Sequence, residues 1–205
     1  MDGTSSLHTV SQDVVWVCVY VFLAAWIIGA VYFGTRSNGG FRGWMRNARG
    51  TLPARVGLIA GVAVVQLATR GDHGGTWRHL QYWTPALAIV GMVLAVASTA
   101  LLLWARWVLG TMWASVPLLQ ERHELRTGGP YGLVRHPIYT GLLGLVLGAT
   151  LAGGFGAWVV ALVVAVPWLL HRVTVEDGLM AGQFGDRYAE YRRQVPALVP
   201  RPRRR

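Results

Sequence analysis

Residues 138–170 read IYTGLLGLVLGATLAGGFGAWVVALVVAVPWLL, two apolar runs (138–151 and 155–170) parted only by Ala152, Gly153 and Gly154. At ~1.5 Å per residue, each run is marginal for a lone crossing of a ~30 Å hydrocarbon core. Joined by a glycine turn, the two predict a tight helical hairpin. Gly141, Gly144 and Gly148 give the first run small residues where another backbone can approach closely.

The same patterning extends toward the N-terminus. Apolar segments occupy residues 14–34, 52–69 and 82–104. The second opens with Pro53, well placed for a first helical turn. The third is bracketed by Trp77, Tyr82 and Trp83 at one end and by Trp104 and Trp107 at the other, as interfacial belts are. Of the 205 residues 53% are hydrophobic and only 14% charged, with a mean hydropathy of +0.40. A soluble domain would carry roughly 25% charge. The chain is therefore read as all-α, an integral membrane bundle of five transmembrane helices. Helices four and five form the hairpin, and a cytoplasmic helical segment follows them.

Charge orients this bundle. All 19 basic residues are arginines, and the formal net charge is +10. A basic balance can signal nucleic acid, but here the arginines lie in connectors and the tail, so no nucleic-acid partner is expected. Seventeen fall on one side of the five-helix arrangement, and Arg70 and Arg78 on the other. The positive-inside rule then places the N-terminus outside and the C-terminus in the cytoplasm. The opening MDGTSSLHTVSQD lacks the basic start of a signal peptide, so the first segment is read as a retained helix. Cys18 is the single cysteine, which excludes an internal disulfide and a cysteine metal site. Asp72, His73 and His79 lack clean ligand spacing, and no metal is expected.

Polar chemistry concentrates on the arginine-rich side. GGPYGLVRHPIYTG, residues 128–141, packs Tyr131, Arg135, His136 and Tyr139 into nine positions. Pro137 biases His136 away from helical geometry and should start a helix, whose N-terminal donors favour anionic groups. Beyond the hairpin comes HRVTVEDGLMAGQFGDRYAEYRRQVPALVP. Arg172 and Glu176 are four apart there, on one helical face, either a plain salt bridge or a functional pair at the membrane boundary. Asp186 with Glu190, and Arg187 with Tyr191, read as the solvated face of a short helix. Phe184, Tyr188 and Tyr191 read as its packing face. Because the hairpin joins them, the 128–141 stretch and Arg172–Glu176 should meet in space.

These two stretches together resemble the isoprenylcysteine carboxyl methyltransferase family, over roughly residues 120–200. The resemblance implies an integral membrane methyltransferase using S-adenosyl-L-methionine, with a lipophilic or lipid-linked acceptor taken from the bilayer. It implies cofactor contacts from His123, Glu124, Leu125, Arg126, Tyr131, His136, Pro137, Ile138, Tyr139 and Glu176, and a substrate and catalytic role for Arg172 beside Glu176. Two positions depart from the family pattern: Arg126 stands where an apolar residue is common, and Asp177 replaces a second glutamate. The implied organisation is residues 1–119 as three helices with connectors, 120–200 as the catalytic core, and 201–205 as a basic tail. An NADPH-dependent sterol-type membrane reductase is the alternative, since such enzymes carry a similar R-H-P-x-Y element. They commonly have asparagine before the tyrosine, where this chain has Ile138.

Overall fold

Small residues decide how these helices meet. A computed structural model of the protein describes residues 3–36, 80–110 and 125–201. Its helices are α1 (Gly3–Arg36), α2 (Pro85–Leu109), α3 (Pro137–Gly153), α4 (Ala157–Phe184) and α5 (Asp186–Gln194), with a 3-10 turn at Gly129–Gly132. No strand occurs among the described residues, only an isolated bridge between Gln81 and Phe155. The expected helix at 52–69 lies outside the described residues, as do the connector before it, His123, Glu124 and the last four arginine-rich positions.

Among the described residues, three helical stretches are long and apolar enough to cross a membrane: Gly3–Tyr32, Pro85–Leu109 and Ala157–Phe184. The fourth apolar helix, Pro137–Gly153, is shorter at 17 residues. The bundle is apolar outward, with Ile28, Val93, Val163, Val164 and Trp168 all more than half exposed. Its seams are built from small side chains. That distribution suits a lipid solvent, in which close packing rather than water exclusion draws helices together.

The longest seam joins α2 to α3, which run antiparallel. Gly91, Ala95, Ser98 and Leu102 of α2 face Ala152, Gly148, Gly144 and Gly141 of α3. A Cβ on Gly91 would stand 2.6 Å from the Gly148 carbonyl oxygen, against backbone that cannot swing aside. One on Gly178, in α4, would meet nothing within 4 Å. The same substitution should therefore act oppositely at the two sites. Gly178→Ala is expected to stabilise by up to about 1 kcal/mol through helix propensity. Gly91→Ala is expected to destabilise, because an overpacking cost of about 1–3 kcal/mol outweighs that gain. Reversible unfolding in mixed micelles measures both.

Helix boundaries differ from the sequence expectation in instructive ways. α1 starts at Gly3 rather than near residue 14. The polar start is helical because it docks: Ser11 Oγ donates to the Ala152 carbonyl at 3.0 Å and Gln12 Nε2 to that of Gly153 at 3.3 Å. α2 starts at Pro85, where the Thr84 hydroxyl accepts from Leu87 N at 3.3 Å. α4 continues to Phe184, well past the expected end at residue 170. α3 and α4 are joined by residues 154–156, all with positive φ (78°, 68° and 51°). Two are glycines, and Phe155 bears the strain, held by its N–H to the Thr150 carbonyl at 2.8 Å. The connection sends α4 back along α3, carrying Arg172, Glu176 and Asp177 to the end where α3 begins.

Candidate active site

At that end a pair of adjacent acids on α4 meets the Arg135–His136 pair that precedes α3. Asp177 is the hub. Arg135 Nη2 donates to its Oδ2 at 2.8 Å, His136 Nε2 lies 2.7 Å from its Oδ1, and the Tyr188 hydroxyl donates to the same Oδ1. Arg192 of α5 adds a looser contact at 4.0 Å. Glu176 takes the other half of the pair. Its Oε1 accepts from the Tyr139 hydroxyl and from Arg172 Nη2 at 3.3 Å, and its Oε2 lies 3.6 Å from His136 Nδ1. Arg172 also sits 6.0 Å from the centre of the Trp168 ring.

Local sequence explains the placement. His136 is the N-cap of α3, with φ −123° and ψ 63°, the non-helical geometry that a following proline imposes. Its N–H is taken by the Ala197 carbonyl at 3.0 Å, and that of Arg135 by Pro196 at 2.8 Å. Thr140 Oγ1 donates to the Leu198 carbonyl at 2.7 Å, and Arg135 Nη1 to that of Val195 at 2.6 Å. The closing VPALV stretch is thus a strap laid across the start of α3. On the other side, the Tyr191 hydroxyl donates to the Tyr131 carbonyl at 2.6 Å, tying α5 to the 3-10 turn.

The electrostatics follow from burial. Burial opposes the charged form of His136, but the hydrogen bond to Asp177 and the charge of Glu176 outweigh it, so its pKa is raised. Burial likewise pushes the Tyr131 and Tyr188 hydroxyls up, and that of Tyr191 up to about 12, keeping all three as neutral donors. A raised His136 pKa stabilises the fold fully below the unfolded value of about 6.5, and this contribution is lost as pH rises through the folded value. Thermal stability in detergent is therefore expected to fall on going above about pH 6.5. His136→Gln should flatten that dependence.

Among the residues expected at the site, His136, Tyr139, Arg172 and Glu176 come together. Pro137 is fully buried at the start of α3, and Ile138 packs between the two apolar clusters rather than beside the carboxylates. Tyr131 lies in the adjoining turn, buried, and its hydroxyl has no hydrogen-bond partner among the described residues. Leu125 borders a shallow groove shared with Thr127, Gly132, Arg187 and Tyr191, and Arg126 is exposed. His123 and Glu124 lie outside the described residues. Sequence reasoning underrated Asp177, Arg135, Tyr188 and Tyr191. The available signal was the crosswise match of an Arg-His dipeptide to a Glu-Asp dipeptide.

Fold and site together define an integral membrane protein that gathers a buried network of charged and phenolic side chains at one end of an apolar helical bundle. The chain belongs to the phospholipid methyltransferase family, whose profile matches residues 81–187. Its resemblance to isoprenylcysteine carboxyl methyltransferases stands on individual relatives as well. It is 37% identical over 79 residues to a protein-S-isoprenylcysteine O-methyltransferase of Schizosaccharomyces pombe, covering 38% of this chain and 34% of that protein. It is 35% identical over 85 residues to protein-S-isoprenylcysteine O-methyltransferase B of Arabidopsis thaliana, covering 40% and 42% respectively. The cobalt-zinc-cadmium resistance protein CzcN of Cupriavidus metallidurans is 34% identical over 130 residues, covering 62% and 53%. The matched stretches thus span between about a third and a half of the length of these relatives.

Proposed function

We propose that the protein is a membrane-embedded methyltransferase that moves a methyl group from S-adenosyl-L-methionine to a lipophilic or amphiphilic acceptor. The observation that carries this reading is the meeting of His136 and Tyr139 with Arg172 and Glu176, across the α3–α4 connection. The residues fit such a cofactor. The buried Tyr131 hydroxyl and Arg172 Nε are hydrogen-bond donors with no partner among the described residues, so the site holds polarity for a ligand to complete. Glu176 is a carboxylate suited to the cofactor's ammonium group, and Tyr131, His136 and Tyr139 would border it. When bound, the cofactor supplies an electrophilic methyl group on a sulfonium, whose sulfur leaves neutral.

The protein's part is positioning and water exclusion. His136 faces Asp177 and Glu176 with its two nitrogens, an arrangement that favours its charged form and occupies both nitrogens. Glu176 is already engaged by Tyr139 and Arg172. A site so committed favours an acceptor that needs no general base, and a carboxylate is nucleophilic without one. Arg172 would hold that carboxylate in line with the methyl group.

The five-span topology, with the site on the cytoplasmic side, belongs to the same proposal. α1 and α2 run parallel, since Ser11 sits at the α3–α4 turn, Gly29 meets Arg106, and Gln81 bridges Phe155. Parallel spans begin on the same side of the membrane, and the arginine distribution is what assigns that side to the exterior. The test is calorimetric titration of the purified protein with S-adenosyl-L-methionine in detergent, followed by labelled-methyl transfer into membrane lipid extract. NADPH oxidation serves as the contrasting assay. A folded protein that binds no S-adenosyl-L-methionine and labels no product overturns the reading.

A further inference from the structure

The buried seam of α2 does not stop at Leu102. Counting on one turn, Gly91, Ala95, Ser98 and Leu102 are followed on the same face by Arg106. The seam is otherwise small or apolar, yet its last position carries a guanidinium that is only 5% exposed. An ionised side chain inside a membrane helix is expensive and points by default to a ligand or a pathway. Arg106 Nη1 donates to the Gly110 carbonyl at 3.0 Å, which fixes one edge of the group. The other edge lies along α1: a Cβ on Gly29 would stand 2.9 Å from Nη2 and 3.0 Å from Nε. Glycine at that position is what lets the guanidinium lie against the helix backbone.

A second group points to the same place. The 3-10 turn Gly129–Gly132 seats on the last turns of α2, where a Cβ on Gly129 would reach Val108 at 3.4 Å and Trp104 at 3.6 Å. Tyr131, in that turn, is 8% exposed, and its buried hydroxyl has no hydrogen-bond partner among the described residues. It lies within electrostatic reach of Arg106 on one side and Glu176 on the other. Leaving a buried hydroxyl unpaired costs free energy, so a donor in this position suits a ligand that completes it. A guanidinium and a phenolic donor together suit an oxyanion.

We propose that Arg106 and Tyr131 form an oxyanion subsite at the α2 edge of the active site, separate from Arg172, which takes a carboxylate or phosphate group. Two sources supply that chemistry, the carboxylate of the methyl donor and the phosphate of a bilayer lipid. The inference rests on the methyl-donor reading for the first source only. The two are separated by ligand pairs that differ in the anion alone. One pair is S-adenosyl-L-methionine and its decarboxylated form. The other is lysophosphatidic acid and an uncharged monoacylglycerol of the same chain length. Binding of all four is measured to the full-length protein and to its Arg106→Met and Tyr131→Phe variants.

The unaltered protein is expected to prefer the anionic member of one pair by about tenfold or more, and both variants to lose most of that preference. The pair that responds identifies the source. A purely structural Arg106 would move the unfolding temperature in the Met variant and leave the anion preference intact in both variants. That result overturns the proposal, as does an unaltered protein with no preference in either pair. Tyr131→Phe removes a single oxygen and keeps the test readable if Arg106→Met does not fold. Failure of the methyltransferase reading has a different signature: neither form of the methyl donor binds the unaltered protein, whatever the lipid pair does.

Discussion

Asp177→Ala is expected to lower the stability of the protein by about 3–5 kcal/mol, the range for breaking a buried ion pair from one side. The cost is large because one carboxylate serves three buried partners. Arg135 would remain behind as a buried charge, with His136 and the Tyr188 hydroxyl also stripped of their partner. Their side chains are about nine-tenths buried, so water cannot take over. Asp177→Asn keeps the shape and an acceptor but loses the charge, and should fall between the two. The measurement is the unfolding free energy of each variant in mixed micelles, with Glu190→Ala as the control. Glu190 pairs with Arg193 and Gln194 on the exposed face of α5, and its loss should leave stability nearly unchanged. An Asp177→Ala protein as stable as the parent would remove the hub from the account.

Glu176→Gln should have the converse effect, small on stability and large on activity. The side chain is a quarter exposed, and an amide can still accept from Tyr139 and Arg172. What it cannot do is balance a cationic ligand group. Under the proposed function, S-adenosyl-L-methionine affinity should fall by about tenfold to a hundredfold, as for a lost charge-assisted hydrogen bond of about 1.5–3 kcal/mol. Titration calorimetry on the variant reads this directly. Tyr139→Phe provides the comparison, since it frees Glu176 from one donor and keeps its charge. Equal losses in the two variants would point to geometry, and a loss confined to Glu176→Gln to charge.

Much of this was legible in the sequence because its signals are local. The apolar runs gave α1, α2, α3 and α4, and Ala152–Gly153–Gly154 marked the turn between the last two. Pro137 fixed the start of α3 through a backbone constraint that acts at a single residue. The Arg172–Glu176 spacing put both side chains on one face of one helix. What escaped depended on tertiary contacts. The polar start of α1 is helical through its docking of Ser11 and Gln12, which no local pattern announces. Tyr188 and Tyr191 read as packing residues because a phenol serves a core as well as a hydrogen bond. Each does both, burying its ring while its hydroxyl reaches Asp177 or the Tyr131 carbonyl. Arg106 resembled one more connector arginine, and only the continuation of the α2 seam shows that it points inward.

The strap formed by residues 195–198 has a consequence for the order in which the protein matures. Arg135 and His136 receive the carbonyls of Pro196 and Ala197, about sixty positions later in synthesis. When α3 enters the bilayer, its first turn has neither the strap nor the acids of α4. Insertion therefore precedes assembly of the polar network, and the nascent chain passes through a stage with spans in place and Arg135 and His136 unpaired. The strap acts as a latch, because the network closes only once residues 195–198 have left the ribosome's exit tunnel and reached the start of α3.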